Sequence, residues 1–419
     1  MTAPFDHHSE EFARNWRATC AELRARCPVA HTDRHGGYFV VTRYDDVLAV
    51  LRDSRSASSG RAMEAGRPSM DEGVTIPPNP FRMGIMEMDP PDCTMYRRVL
   101  NPWFSRGAVE AMAPRIRELV TWCIDRFVES GRCDVVDDLA NPLPALVTLD
   151  LLGIPLERWR RYGRVMHEAV YRKRGSADEV RALLGDVRDV VAAGGDPGGL
   201  IDHLRHAEVG GRPLPEPMIV ELVFMILNGG TDTTTALIAH LMLHLVTCGD
   251  DRQRLLAHPE LIRGTVQELI RVSAPATGVA RTVTAPMTLS GVTLQPGDRV
   301  LLALGSANAD ETRFPEANRV VIDREPNQHL AFGSGLHRCL GAELATVEME
   351  ILVEEVLRRL PDVTVDEPAV VSYPSIPLVN GFSAMPAAFT PGPRVRYSAS
   401  FPRRKSSRWR AASPSMLSS

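Results

Sequence analysis

The stretch Phe332-Gly333-Ser334-Gly335-Leu336-His337-Arg338-Cys339-Leu340-Gly341-Ala342-Glu343-Leu344-Ala345 constrains this 419-residue chain more than any other. It places one cysteine in a glycine-studded loop and follows it at once with a helix-like run. A lone cysteine is ordinarily a small buried apolar residue. Three glycines within nine positions, Gly333, Gly335 and Gly341, argue for another use. Glycine lets a backbone take angles other residues avoid, or approach a large flat ligand closely. A helix beginning near Cys339 would point its positive N-terminal end at the sulfur and favour the thiolate, and Arg338 adds a charge next door. The segment is built to present one thiolate to something large.

Three uses of such a thiolate compete. A nucleophile needs a base, and His337 lies two residues away, on the same side of an extended loop; no oxyanion apparatus accompanies it. A zinc ligand needs companions such as a C-x-x-C pair, and the chain has none. An axial ligand of heme iron needs no second protein ligand. From Phe332 to Ala345 the chain resembles, at every specified position, the heme-binding signature of the cytochrome P450 family, F-G-x-G-x-H-x-C-x-G-x-x-L-A. The resemblance implies that Cys339 is the axial ligand of heme b, with Phe332, Gly333 and Gly341 in the cofactor loop. It implies a mainly α fold with a smaller β-rich part, one large domain over residues 1–397 around a buried heme.

Composition agrees with a globular enzyme: 44% hydrophobic and 24% charged residues leave ample material for a core. Residues 398–419 carry five basic side chains and no acid, which leaves a net charge of about −9 on the rest of a chain whose total is −4. That balance does not suit a nucleic-acid binder. The tail is Ser/Arg-rich, lies outside the family pattern and is expected to be disordered. Seven scattered cysteines fit a reducing cytosol better than a disulfide framework. The first sixteen residues lack an apolar signal region. No uninterrupted apolar run reaches the ~18 residues of a membrane span. The expectation is a cytoplasmic protein without a membrane anchor. Within the family, this resembles the bacterial type that receives electrons from a separate ferredoxin and ferredoxin reductase.

Along the chain, Gly37 to Thr42 reads as a strand and Tyr44 to Asp53 as a short helix. Ser54 to Pro80 is rich in Ser, Gly, Pro and Met without periodicity. It reads as a loop, and by position it resembles the family's loop over the substrate. The family commonly shows D-P-P-x-H-T-x-x-R-R where this chain has Asp89-Pro90-Pro91-Asp92-Cys93-Thr94-Met95-Tyr96-Arg97-Arg98. Arg97 keeps the match and takes over the role of a heme-propionate partner. Cys93 replaces the usual histidine. Apolar residues at helical spacing mark a helix over Ala108 to Val128, Leu139 to Leu152 reads as core, and Pro155 to Ala193 reads as two charged amphipathic helices that resemble the family's mobile lid, broken at Lys173-Arg174-Gly175-Ser176.

Pro217 opens the longest helical candidate, running to about Cys248; proline is favourable in a first turn. Gly229 and Gly230 in its middle cost roughly 2 kcal/mol together relative to alanine, so a ligand or a widened turn should compensate. The run Gly229-Gly230-Thr231-Asp232-Thr233 resembles the family's oxygen-helix motif, [AG]-G-x-[DE]-T. In that reading the glycines open a groove beside the iron, and Asp232 and Thr233 relay the two protons that heterolysis of dioxygen requires. Read without the family, it is a polar turn with threonine hydroxyls bonded back to helix carbonyls. Met225 would face substrate; Asn228 would bond substrate or a water, or equally face a neighbouring helix.

Glu268-Leu269-Ile270-Arg271 is an E-x-x-R pair on one helix face. The family locks such a pair with a later arginine, and Arg319 matches that third structural position. Pro275 to Arg281 resembles the segment lining the substrate pocket, with Val279 facing substrate and Arg281 bonding a propionate; His329 resembles a further propionate partner. Thr288 to Val300 reads as a hairpin, and Tyr373 to Phe389 as a strand-and-turn pair near substrate.

The resemblance as a whole implies a monooxygenase that uses dioxygen to hydroxylate or epoxidise a small organic substrate, in bacterial secondary metabolism. Oxidative coupling or cyclisation on the same heme is the alternative. A peroxygenase of this family usually lacks the Asp-Thr pair, and a non-catalytic heme sensor would carry a signalling module, which is not visible here.

Overall fold

Short apolar and β-branched runs become strands here where they find partners, some close along the chain and some far away. The computed structural model describes residues 5–64, 67–170 and 176–395; the basic tail and the break at residues 173–175 lie outside them. Among the described residues thirteen α-helices run in chain order: α1 Glu10–Arg26, α2 Tyr44–Arg52, α3 Asp92–Leu100, α4 Arg106–Asp125, α5 Pro142–Leu152, α6 Trp159–Val170, α7 Ser176–Ala193, α8 Leu200–His206, α9 Glu216–Thr247, α10 Gly249–Ala257, α11 Ile262–Ser273, α12 Leu304–Asn308 and α13 Ala342–Arg359. Helix far outweighs strand, as expected. The chain divides into two compact units.

The first unit is Met1–Tyr96, Glu268–Cys339 and Tyr373–Asn380. It holds a five-stranded sheet of β1 (Val29–Thr32), β2 (Tyr38–Val41), β3 (Ala57–Ser58), β4 (Val279–Val283) and β5 (Arg299–Leu302), in the order β1-β2-β5-β4-β3. β5 pairs parallel to β2, placing Leu301 beside Val40, and antiparallel to β4, placing Val300 beside Arg281. Val41, Val283, Val300 and Leu302 of this sheet share a buried cluster with Val47, Val50 and Leu51 of α2. The hairpin is shorter than its sequence range: Met287–Leu289 pairs with Val292–Leu294, and Pro296-Gly297-Asp298 leads into β5 instead. The Ser54 to Pro80 segment is not bare loop. It contributes β3 to the sheet, and it buries Arg61 against Glu87 at 3.4 Å, both side chains fully enclosed.

The E-x-x-R pair lies in this unit and corrects one expectation. Arg271 Nε and Nη2 donate to the two oxygens of Glu268 at 2.8 and 2.7 Å, with neither side chain exposed. The third side chain is Arg324, whose Nε donates to Glu268 Oε1 at 2.9 Å; Asn327 and the Val321 N–H add further donors. Arg319 is not the lock. Its guanidinium is 74% exposed beside Glu316, and only its carbonyl accepts from Arg271. The loop turns Arg319 outward and brings the arginine five positions later onto the carboxylate.

The second unit is Arg97–Gln267, Leu340–Ser372 and Gly381–Ser419. Its centre is α9, a continuous helix through both glycines. All eleven residues of α5 are buried, and α5, α6 and α7 pack on α9. α4 packs along α13, tied by Arg117 to Glu354 and Glu355. Strands Phe382–Ala384 and Pro386–Ala388 belong to two separate small sheets of this unit, whereas the preceding Asn380 bonds Pro275 in the first unit. Among the described residues α9 is the one helix long and apolar enough to span a membrane, and 78% of its most apolar window is buried within the protein.

Candidate active site

The loop around Cys339 is closed by its own backbone. Cys339 N–H donates to Phe332 O at 2.7 Å and Gly333 N–H to Leu330 O at 2.8 Å. Between them the chain makes a tight turn over Gly335–His337. Gly335 has φ +68°, and a Cβ there would meet Leu51 O at 2.7 Å, so no other residue fits without moving α2. Cys339 is the one exposed cysteine of the seven, and α13 begins three residues beyond it. The local hydrogen bonds thus leave the thiol presented on the surface of the first unit, as the glycine spacing implied.

One buried cation and one neutral imidazole of the same unit suit a carboxylate-bearing ligand. Arg281, in the middle of β4, is 4% exposed. Its guanidinium donates to the carbonyl of Ala280 at 2.7 Å and forms no ion pair with a described carboxylate. Burial pushes it down to about 10, with the charge of Asp89 acting the other way. His329 is half-buried and pushed down to about 4, first by burial and then by the neighbouring Arg271. The Ala331 N–H points at His329 Nδ1 at 3.3 Å, which leaves the ring proton on Nε2 as a donor.

Cys93 is fully buried in this unit, with Sγ 3.5 Å from Ile85 O and 3.9 Å from His337 Nδ1. It is a packed thiol. Cys93→His adds volume to a filled space and is expected to cost about 1–3 kcal/mol, against about 1 kcal/mol for Cys93→Ala, read by chemical unfolding.

In the second unit, α9 carries the other candidates. Thr231 and Thr233 donate to the carbonyls of Leu227 and Gly229, four residues back, the latter at 2.8 Å. The two glycines have different reasons. A Cβ on Gly230 would meet Thr148 Oγ1 of α5 at 2.9 Å, so its missing side chain serves helix packing and not a groove. A Cβ on Gly229 would meet no described atom outside its own helix within 4 Å. Asp232 is 1% exposed, and its Oδ1 lies 2.7 Å from His167 Nδ1 on α6. His167 was not visible in the sequence: it stands 65 residues away, and no spacing links it to the motif. Asn228 Nδ2 lies 4.0 Å from Met166 Sδ. Met225 is buried, Val279 is half-buried on β4, and Arg97 is half-buried on α3.

The cytochrome P450 family model matches residues 179–367. The mycinamicin IV hydroxylase/epoxidase of Micromonospora griseorubida is 35% identical over 344 residues, 79% of this chain and 84% of that protein. The chain belongs to the cytochrome P450 family. A steroid C26-monooxygenase of Mycolicibacterium smegmatis is 33% identical over 386 residues, 89% of this chain and 92% of that one. Among solved structures, a MycG variant in complex with mycinamicin V is 32% identical, with a TM-score of 0.79 over 93% of this chain and 99% of that one. A Mycobacterium marinum cytochrome P450 in complex with pseudoionone reaches a TM-score of 0.83 at 26% identity, over 93% and 99%.

The protein is therefore a P450 monooxygenase with a heme-thiolate cofactor. Its own residues fit that group. One thiol is exposed on a backbone-closed loop. Arg281 is buried and forms no ion pair with an acid among the described residues. Gly229 of α9 leaves room where a Cβ would stand, with no described atom outside its own helix within 4 Å.

Proposed function

We propose that this P450 hydroxylates or epoxidises an organic substrate of bacterial secondary metabolism, drawing electrons from a separate ferredoxin and its reductase. The exposed Cys339 thiol, held within the complete family signature, carries the reading. The heme, when bound, supplies the activation of dioxygen. Cys339 would be its axial ligand, and Arg97, Arg281 and His329 would bond its propionates. Asp232 and Thr233 would move protons, Asp232 at its carboxylate and Thr233 at Oγ1.

Thr233 already has a use for its proton, the bond to Gly229 O at 2.8 Å. Delivery asks it to exchange that bond for another, which a threonine hydroxyl does by rotating about one torsion. The mycinamicin and steroid relatives support mycinamicins and steroids as the compounds to screen, with mycinamicin IV first. The test uses a surrogate ferredoxin system and mycinamicin IV as probe. Thr233→Ala should divert electrons from product to peroxide several-fold while electron consumption continues. Unchanged coupling would remove Thr233 from the relay.

A further inference from the structure

The motif acid Asp232 is 1% exposed, a costly place for a carboxylate unless it is bonded. Its partner comes from another helix. His167 of α6, its side chain 8% exposed, sets Nδ1 at 2.7 Å from Asp232 Oδ1. One residue earlier and one turn back on α9, Met166 Sδ meets Asn228 Nδ2 at 4.0 Å. Asn228 and Asp232 are four apart, so they lie on one face of α9. α6 therefore docks on the motif turn at two successive positions, and the second contact is polar and aimed at the acid. A short bond of this kind fixes a carboxylate far better than packing does, since it selects one rotamer and one oxygen.

We propose that His167 is a positioning residue for proton delivery: its Nδ1–H holds Asp232 in the one orientation from which the acid serves Thr233, so that proton delivery is complete only while α6 is seated on α9. The inference rests on the relay role proposed for Asp232. It requires no chemistry of His167 itself, only the bond from its Nδ1.

The test compares three replacements in the full-length, heme-loaded protein, with electron consumption driven by a surrogate ferredoxin system and no added organic substrate. His167→Leu removes the donor. His167→Asn keeps an N–H near the Nδ1 position. His167→Gln moves it out to the Nε2 position. Misplacing a proton-transfer group costs rate steeply, so Leu and Gln are expected to slow consumption about tenfold and enlarge the solvent deuterium isotope effect, with Asn returning to within about a factor of two. A readout independent of turnover is the double-mutant cycle of His167→Leu with Asp232→Asn in chemical unfolding, which should show coupling between the two sites. Wild-type rate and isotope effect in His167→Leu would overturn the proposal. So would failure of Asn to rescue at an unchanged unfolding midpoint. Asp232→Asn measured in parallel separates the two readings. If it too is unaffected, the relay itself fails; if it is slow while His167→Leu is not, only the positioning role fails.

Discussion

Cys339→Ala is expected to abolish the absorption band typical of the carbon monoxide complex of thiolate-ligated heme, with the protein still folded. The loop is closed by the Cys339 N–H on Phe332 O and the Gly333 N–H on Leu330 O, and alanine keeps both bonds. The thiol is exposed and fills no core space, so its removal should cost little stability. The loss is confined to the ligand, because a sulfur donor is what shifts the electronic character of the iron. Among the other cysteines, Cys20, Cys93 and Cys123 are buried, and burial pushes Cys20 up to about 11 and Cys123 and Cys133 up to about 12, away from thiolate. The measurement is the reduced, carbon monoxide-treated difference spectrum of the variant beside its unfolding curve. Survival of the band would mean that a different residue ligates the iron.

Glu268→Ala is expected to be the most destabilising single change in the first unit, and to lower heme retention with it. Glu268 has no exposed side-chain surface and accepts from Arg271 twice, from Arg324, from Asn327 and from the Val321 N–H. Removing it leaves two arginines enclosed without their counter-charge, which typically costs about 3–5 kcal/mol. Arg319→Ala should change stability by less than about 0.5 kcal/mol, since an exposed pair contributes little. Chemical unfolding of the two variants distinguishes the assignments sharply. Equal losses would restore Arg319 to the lock.

That contrast shows what the sequence could and could not tell. Local chemistry was legible: the glycine-bracketed thiol, the Asp232-Thr233 pair, the E-x-x-R spacing and the long helix opened by Pro217 each follow from neighbours along the chain. The missing parts are the ones that depend on where loops travel. Arg324 displaces Arg319 because five residues of irregular chain decide which guanidinium points inward, and no period describes them. His167 reaches Asp232 only through the packing of α6 on α9. Gly230 looked like a ligand-facing gap, and its reason is Thr148 on α5. β2 was readable from its own run of aromatic and β-branched residues, but not its partner β5, some 260 residues later and parallel.

The contact between Gly335 and Leu51 O has a practical consequence for altering this enzyme. The ligand loop does not sit on a soft cushion of side chains; it rests backbone to backbone on the last turn of α2, with Arg52 Nε bonded to Ser334 Oγ at 3.2 Å beside it. At Gly335 the contact is with backbone atoms of Leu51 and Arg52, which cannot give way by changing a rotamer. A graft of the Cys339 loop into another scaffold must therefore bring α2 with it, and a shift of α2 by a fraction of an ångström becomes a lever on the depth at which the sulfur is offered.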